Sequence, residues 1–177
     1  ARARAGAAGD GPLRPIASPM PSTEPATIST ATAVRDMYDA TADQYASMMD
    51  AEIDLPLYDD TLGRLAGRIQ NLRGPVVDSA CGSGHMLARL RERHAPDRAV
   101  LGVDLSPRMV AITAARLGPA GEVEVGDMTR LSGVPSGSAA AVLNFFALHH
   151  LDPTGVQDAL GTWHRVLAPG GQLVVAA

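Results

Sequence analysis

Lysine is absent from all 177 residues, cysteine occurs once, as Cys81, and no long apolar run appears anywhere. A single cysteine can build neither a disulfide framework nor a cysteine zinc site, which makes a reducing cytoplasm the simplest home. The fifteen cationic residues are all arginine, a bias that fits GC-rich coding rather than function. With a formal net charge of −4 the chain offers no sequence-wide basic surface, so no nucleic-acid partner is expected. No apolar stretch approaches the roughly 18 residues that span a bilayer, so no membrane association is expected. The segment Ala1 to Gly11, mostly Ala, Gly and Arg, lacks the apolar centre of a signal peptide. The five histidines are scattered without the spacing of zinc ligands, and no metal is expected.

What is present suits one α/β domain with a tail, for 46% of the residues are hydrophobic and the chain is long enough to bury a core. Composition divides it into a disordered tail over 1–27, N-terminal helices over 28–73 and an α/β core over 74–177. The stretch from Gly74 to Met86 organises the core: Val76-Val77 reads as a buried strand, Asp78 to Gly84 as a tight turn of small residues, and Met86 onward as a helix. Small residues let a ligand approach the backbone, and amides at a helix start face an anionic group.

The spacing of Val34, Met37, Tyr38, Tyr45 and Met48 predicts one or two short helices between Thr32 and Met49. Leu57, Leu62, Leu65 and Ile69 share one face of a helix within Asp54 to Leu72, closed by Gly74-Pro75. Downstream, Arg98 to Asp104 reads as a strand. Ser106-Pro107 then opens a helix to Leu117, with serine as cap and proline in the first turn. Glu122 to Val125, Ala139 to Phe145 and Gln172 to Ala177 read as three further strands. A helix from Asp152-Pro153 precedes the last of these, closed by the turn Ala168-Pro169-Gly170-Gly171.

Apolar strands alternating with amphipathic helices require a parallel sheet covered on both faces. The expected fold class is therefore α/β, a doubly wound Rossmann-like sheet whose ligand crevice lies at the carboxyl ends of its strands. Asp78 and Asp104 both sit at such ends.

From Val34 to Ala177 the chain resembles the class I S-adenosylmethionine-dependent methyltransferases of the small-molecule kind. Four ordered segments carry the likeness: Asp78-Ser79-Ala80-Cys81-Gly82-Ser83-Gly84, Gly126-Asp127-Met128, Asn144 to Leu151, and His164 to Gly171. Ala80 departs from the glycine the family places first, which matters only if that position requires a positive φ. The resemblance implies S-adenosyl-L-methionine as cofactor and a small-molecule acceptor. It implies that Ala80, Cys81, Gly82 and Gly84 pass beneath the methionine moiety, that Asp78 orients its amino group, and that Asp104 accepts from both ribose hydroxyls. By the same likeness Leu105 and Met109 flank the adenine, Gly126, Asp127 and Met128 meet its edge, and Asn144 and Phe145 belong to the segment after the fourth strand. Tyr38 and Tyr45 look like lid aromatics over the cofactor.

Simpler readings stand beside these. Asp78 and Asp104 each serve equally well as caps of the following turn or helix. Tyr38 and Tyr45 suit a core as well as a lid. His149 is the candidate general base for a hydroxyl acceptor, against a structural role at a helix start, and His150 reads as packing or a cap. Cys81 as a nucleophile lacks an evident partner base. A nicotinamide dehydrogenase would need Gly or Ala at position 87, where Leu87 stands. The family usually continues past the fifth strand, so the chain reads as truncated there, with that strand left as an apolar edge. A fragment of a longer enzyme, a sheet completed by a partner chain such as a second copy in a homo-oligomer, and a non-catalytic nucleotide binder are the three readings of that ending.

Overall fold

The structure, a computed structural model, describes residues 30–177; the expected tail over 1–27 lies outside the described residues. Five parallel strands, β1 (Val76–Asp78), β2 (Val100–Asp104), β3 (Glu122–Val125), β4 (Ala139–Phe145) and β5 (Leu167–Ala176), form one sheet in the order β3-β2-β1-β4-β5. Val76 pairs with Val100 on one side and Ala141 on the other, which centres the short first strand. Its neighbours diverge to left and right in sequence order, so the turn after Asp78 opens at the point where strand order reverses, the site such sheets reserve for ligands.

Alternation along the strands divides the core in two. Val76, Val100, Ala141 and Leu143 pack beneath α2 (Pro56–Ile69) and α3 (His85–Arg93), against Leu62, Leu65, Ile69, Leu87 and Leu90. Val77, Val103 and Val142 face the other way onto α5 (Pro153–Val166), against Ala159, Trp163 and Val166. Helices thus cover both faces. Leu62, Leu87, Leu90 and Trp163 are fully buried, each such side chain contributing about 1.5–3 kcal/mol of transfer free energy.

The capping chemistry forms as the sequence predicts. Ser106 Oγ accepts from the Met109 amide at the start of α4 (Pro107–Leu117), and Asp152 Oδ1 accepts from the Gly155 amide at the start of α5, each helix with proline in its first turn. Two expectations need correction. The region predicted as one or two short helices is a single 22-residue helix, α1 (Ala31–Glu52), because its polar residues are engaged by α3 and α4 instead of breaking it. The turn at Ala168 to Gly171 is absorbed into β5 as an irregularity: Ala139 pairs with Leu167 and Ala141 with Gln172, so four residues of β5 bulge past one of β4, with Gly170 at φ +79°.

Helix α1 lies across the carboxyl end of the sheet with only Val34, Ala42 and Met49 buried. Aspartates fasten it. Asp39 accepts from Ser106 Oγ and the Arg108 amide, Asp43 takes Arg108 at 2.8 Å, Asp50 pairs with His85 at 2.7 Å and Arg116 at 3.0 Å, and Asp54, two residues past the helix, pairs with Arg89. Among the described residues no helix is long and apolar enough to cross a membrane.

Candidate functional site

Under α1, at the switch point, lies a cavity of about 310 Å³, within the range of small-molecule sites. Each wall comes from the end of a strand or from the helix above. The turn after β1 contributes Ser79, Ala80 and Gly82, the end of β2 contributes Asp104, Leu105 and Ser106, and the loop after β3 contributes Gly126, Asp127, Met128 and Thr129. The end of β4 and its loop give Phe145, Phe146, Ala147, His150, Leu151 and Asp152; α1 gives Val34, Arg35, Tyr38 and Tyr45. A second hollow of about 30 Å³ shares Tyr45, Ala80, Phe145 and Phe146 with it and adds Asp78, Cys81, Ser83 and His85.

The glycine-rich turn follows from steric necessity at two positions. Gly82 (φ +51°) sits under the Tyr45 ring, where a Cβ would lie 3.3 Å from Cε1. Gly84 (φ +79°) backs onto α4, where a Cβ would lie 2.6 Å from Thr113 Cγ2. Thr113 Oγ1 donates to the Gly82 carbonyl at 2.6 Å, locking turn to helix. Ala80 has no positive φ, so alanine fits where the family places glycine.

Asp104 ties the second strand to this turn. Its Oδ2 accepts from the Gly82 amide at 2.8 Å and its Oδ1 from the Ser106 amide at 2.9 Å, each oxygen keeping further acceptor capacity toward the cavity. Burial raises its pKa, while these amides act the other way. Asp78 is buried with Oδ1 lacking any protein partner, and burial pushes its pKa up to about 7, against the Ala80 amide and with the charge of Asp104 adding to the rise. An orphaned buried carboxylate oxygen beside a hollow that admits one or two small groups calls for a ligand donor. Beneath the turn, Asn144 Nδ2 donates to Ser79 Oγ at 3.0 Å, and Ser79 Oγ donates to the Leu143 carbonyl at 3.0 Å.

Of the residues expected at the site, Tyr38, Tyr45, Ala80, Gly82, Asp104, Leu105, Gly126, Asp127, Met128 and Phe145 line the larger cavity. Asp78 and Cys81 line the smaller hollow. Gly84 does not line either, because its open side is filled by Thr113. Met109 is fully buried below the cavity floor, since its place in the first turn of α4 aims it at the core. Asn144 is likewise fully buried and acts through Ser79 and the Met128 sulfur, 3.4 Å away. His149 is exposed and off the cavity wall, and the neighbouring His150 faces inward instead. Burial holds the Cys81 thiol well above its ordinary range, which leaves it a poor nucleophile.

His150 Nε2 is hydrogen-bonded to Tyr38 Oη at 2.9 Å, joining α1 to the loop after β4. The sequence offered no signal for it, since a His-His pair does not reveal which ring turns inward. Phe146 is another residue missed. It takes φ +54°, costly for an aromatic residue, while its amide donates to the Ala176 carbonyl at 2.7 Å and its ring remains on the cavity wall. Among the described residues no cluster of three His, Cys, Asp or Glu is placed to hold a metal ion.

Residues 76–171 match the sequence pattern of a family described as a methyltransferase domain. A curated relative, a demethylmenaquinone methyltransferase of Thermus thermophilus, is 39% identical over 104 residues, which cover 56% of this chain and 45% of that one. The chain therefore spans about half the length of the curated relative it matches. Among solved structures, the SAM-bound amino pentose methyltransferase CalS10 of Micromonospora echinaspora superposes with a TM-score of 0.56 at 31% identity, covering 67% of this chain and 50% of that one. The 4+2 cyclase SpnF superposes with a TM-score of 0.65 at 22% identity over 82% of this chain and 60% of its own, a likeness of fold alone.

Proposed function

The chain belongs to the methyltransferase domain family, whose pattern spans residues 76–171, and from that membership and the cavity's geometry we propose that it transfers a methyl group from S-adenosylmethionine to a small molecule. The observation that carries this reading is the pairing of two carboxylates, Asp78 and Asp104, on either side of one glycine turn. One is orphaned in a hollow sized for an ammonium group, and the other is exposed to a larger cavity with acceptor capacity to spare. A ligand with a charged amino tail and a diol suits that pair. The curated relative and CalS10 support the same assignment.

In this reading Asp78 receives the amino group, Gly82 lets the Tyr45 ring close onto the turn, and Asp104 accepts from the ribose hydroxyls while holding the Gly82 amide. Leu105 and Met128 flank the base, and Asp127, whose Oδ1 accepts from the Thr129 amide at 2.8 Å, stands at its edge. Tyr38 and Tyr45, with ring centroids 5.8 Å apart and edge to face, close the cavity from α1 and exclude water. Bound S-adenosylmethionine supplies a methyl group on a positively charged sulfur, so the protein's task is alignment and desolvation. We assign residues 28–73 to the lid and acceptor side and 74–177 to the cofactor-binding core.

Thermal denaturation of the full chain with S-adenosylmethionine and with S-adenosylhomocysteine tests this. At a hundredfold excess over Kd either ligand is expected to add about 2.7 kcal/mol. A folded sample whose melting neither ligand moves would refute the reading.

A further inference from the structure

We propose, on the strength of the function proposed above, that the half of the cavity walled by Tyr38, Phe145, Phe146, His150 and Leu151 is the acceptor subsite, that its acceptor is an aromatic hydroxyl compound, and that Tyr38 and His150 carry away the hydroxyl proton.

Three observations converge on this. First, the cavity has two chemically distinct ends. Carboxylates and loop backbone bound the end built from β1, β2 and β3, whereas the end built from β4 and α1 gathers the aromatic and aliphatic side chains Tyr38, Phe145, Phe146 and Leu151 beside Arg35, His150 and Asp152, with the Phe145 and Phe146 ring centroids 6.3 Å apart. Flat aromatic surface of that kind selects a flat apolar ligand. Second, Phe146 holds its ring on this wall from a left-handed backbone conformation, a strain the fold retains at a site of use. Third, among the described residues the one polar side-chain pair on that wall is Tyr38 Oη with His150 Nε2 at 2.9 Å.

The pair is in the protonation state a relay needs. Burial, and then the adjacent His149 ring at 3.9 Å, lower the His150 pKa below its ordinary value, so a neutral imidazole is present at neutral pH. Burial raises the Tyr38 pKa, with Asp104 adding to the rise, so the phenol stays protonated. With Tyr38 donating to Nε2, the Tyr38 oxygen faces the acceptor as a hydrogen-bond acceptor. In the transfer step the acceptor's hydroxyl oxygen forms the new bond to the methyl carbon, and the sulfur keeps the electron pair of the bond that breaks. The hydroxyl proton passes to Tyr38 Oη as the Tyr38 proton passes to His150 Nε2, leaving Tyr38 neutral and His150 as imidazolium until water takes the proton. An amine that reacts through its free lone pair needs no such relay.

The test uses the full chain, 1-naphthol and p-cresol as hydroxyl probes, aniline as the control, and the variants His150→Gln and Tyr38→Phe. Glutamine can still accept from Tyr38 but cannot take the proton. Calorimetric binding of S-adenosylhomocysteine is expected to stay within about twofold of wild type in His150→Gln, and Tyr38→Phe, which keeps the lid ring but removes the phenol, is expected to lose transfer to the hydroxyl probes as His150→Gln does. Naphthol fluorescence, which separates naphthol from naphtholate, is expected to report binding to the protein loaded with S-adenosylhomocysteine. Labelled methyl transfer to both hydroxyl probes is expected to fall about a hundredfold in kcat at pH 7 in His150→Gln. It should recover as pH rises toward the probe's own ionisation, with KM little changed. In the wild type the acid limb of kcat should lie below the ordinary histidine range. The other ionisable groups around the cavity are Arg35 and Tyr45 of α1, Asp104 at the end of β2, Asp127 after β3 and Asp152 after His150, with His149 beside His150 but off the wall; replacing His149 by Gln should move that limb only slightly upward. Absence of cofactor binding by wild type would defeat the methyltransferase reading itself. Intact cofactor binding with no naphthol binding, with faster transfer to aniline than to either hydroxyl probe, or with pH-independent transfer unchanged in His150→Gln would overturn the acceptor proposal alone.

Discussion

Replacing Asp78 with Asn separates the cost of this carboxylate to the fold from its use to the ligand. Burial raises the Asp78 pKa from 3.8 to about 7 in the folded protein. A raised folded-state value means that the group's stabilising contribution is fully present below pH 3.8 and is lost as pH rises through about 7, because only the unfolded chain ionises freely between the two. At about 1.4 kcal/mol per pH unit the loss by pH 8 is about 4 kcal/mol. Denaturant unfolding of wild type and Asp78→Asn between pH 4.5 and 8 is therefore expected to show the variant gaining on the wild type as pH rises, by about 2–4 kcal/mol at the upper end. Ligand binding should move the opposite way. The ionised form is the one that receives an ammonium group, so wild-type affinity for S-adenosylhomocysteine is expected to fall about tenfold from pH 8 to pH 6 as Asp78 takes up a proton. The variant should bind weakly with little dependence on pH over that range. A stability difference that stays constant with pH, or a variant that binds as tightly as wild type at pH 8, would refute the reasoning.

Replacing Asp104 with Ala should weaken cofactor binding by about 1.5–3 kcal/mol, or about 10- to 150-fold by calorimetry, since charged hydrogen bonds are lost and the Gly82 amide loses its acceptor. Helix α1 and the turn just past it are fastened largely by aspartates, three of which, Asp39 and Asp50 in the helix and Asp54 beyond it, are held below the usual carboxylate range by Ser106, His85 and Arg89 respectively. Their contribution is present above the ordinary carboxylate value and is lost as pH falls through the lowered ones. Hydrogen exchange should therefore show α1 amides opening before those of β1 and β4, both below pH 4 and in about 1 M salt, where screening is strongest. Replacing Gly84 with Ala should destabilise the protein by about 1–3 kcal/mol in denaturant unfolding, because φ is +79° and Thr113 occupies the space. The same change at Gly67, which faces open space in α2, should be neutral or stabilising by about 0.5–1 kcal/mol.

The parts of the fold legible in sequence are those set by local chemistry. Ser106-Pro107 and Asp152-Pro153 announce helix starts because cap and proline act within one turn, and Asp78 and Asp104 mark strand ends because an acid follows a β-branched run. What sequence could not fix is rotational phase and long-range partnership. Met109 and Asn144 each sit beside cavity residues in the chain yet point into the core, one by its place in the first turn of α4, the other because β4 is buried on both faces and offers no alternation to read. One residue step in a tight helical turn rotates a side chain by about 120°, which places His150 inside and His149 outside. The continuity of α1 rests on Ser106, Arg108, His85 and Arg116, all distant in sequence, which engage aspartates that would otherwise weaken it. The bulge in β5 arises from its mismatch with β4, which no single strand reveals.

A crystal structure of the full chain grown with S-adenosylhomocysteine tests the central claim most directly. The account predicts the ribose hydroxyls on Asp104, the amino group on Asp78 Oδ1, and the tail along the turn from Ala80 to Gly82. The ligand seated elsewhere, or bound with Asp78 still unpartnered and Asp104 facing only its own backbone amides, would contradict it.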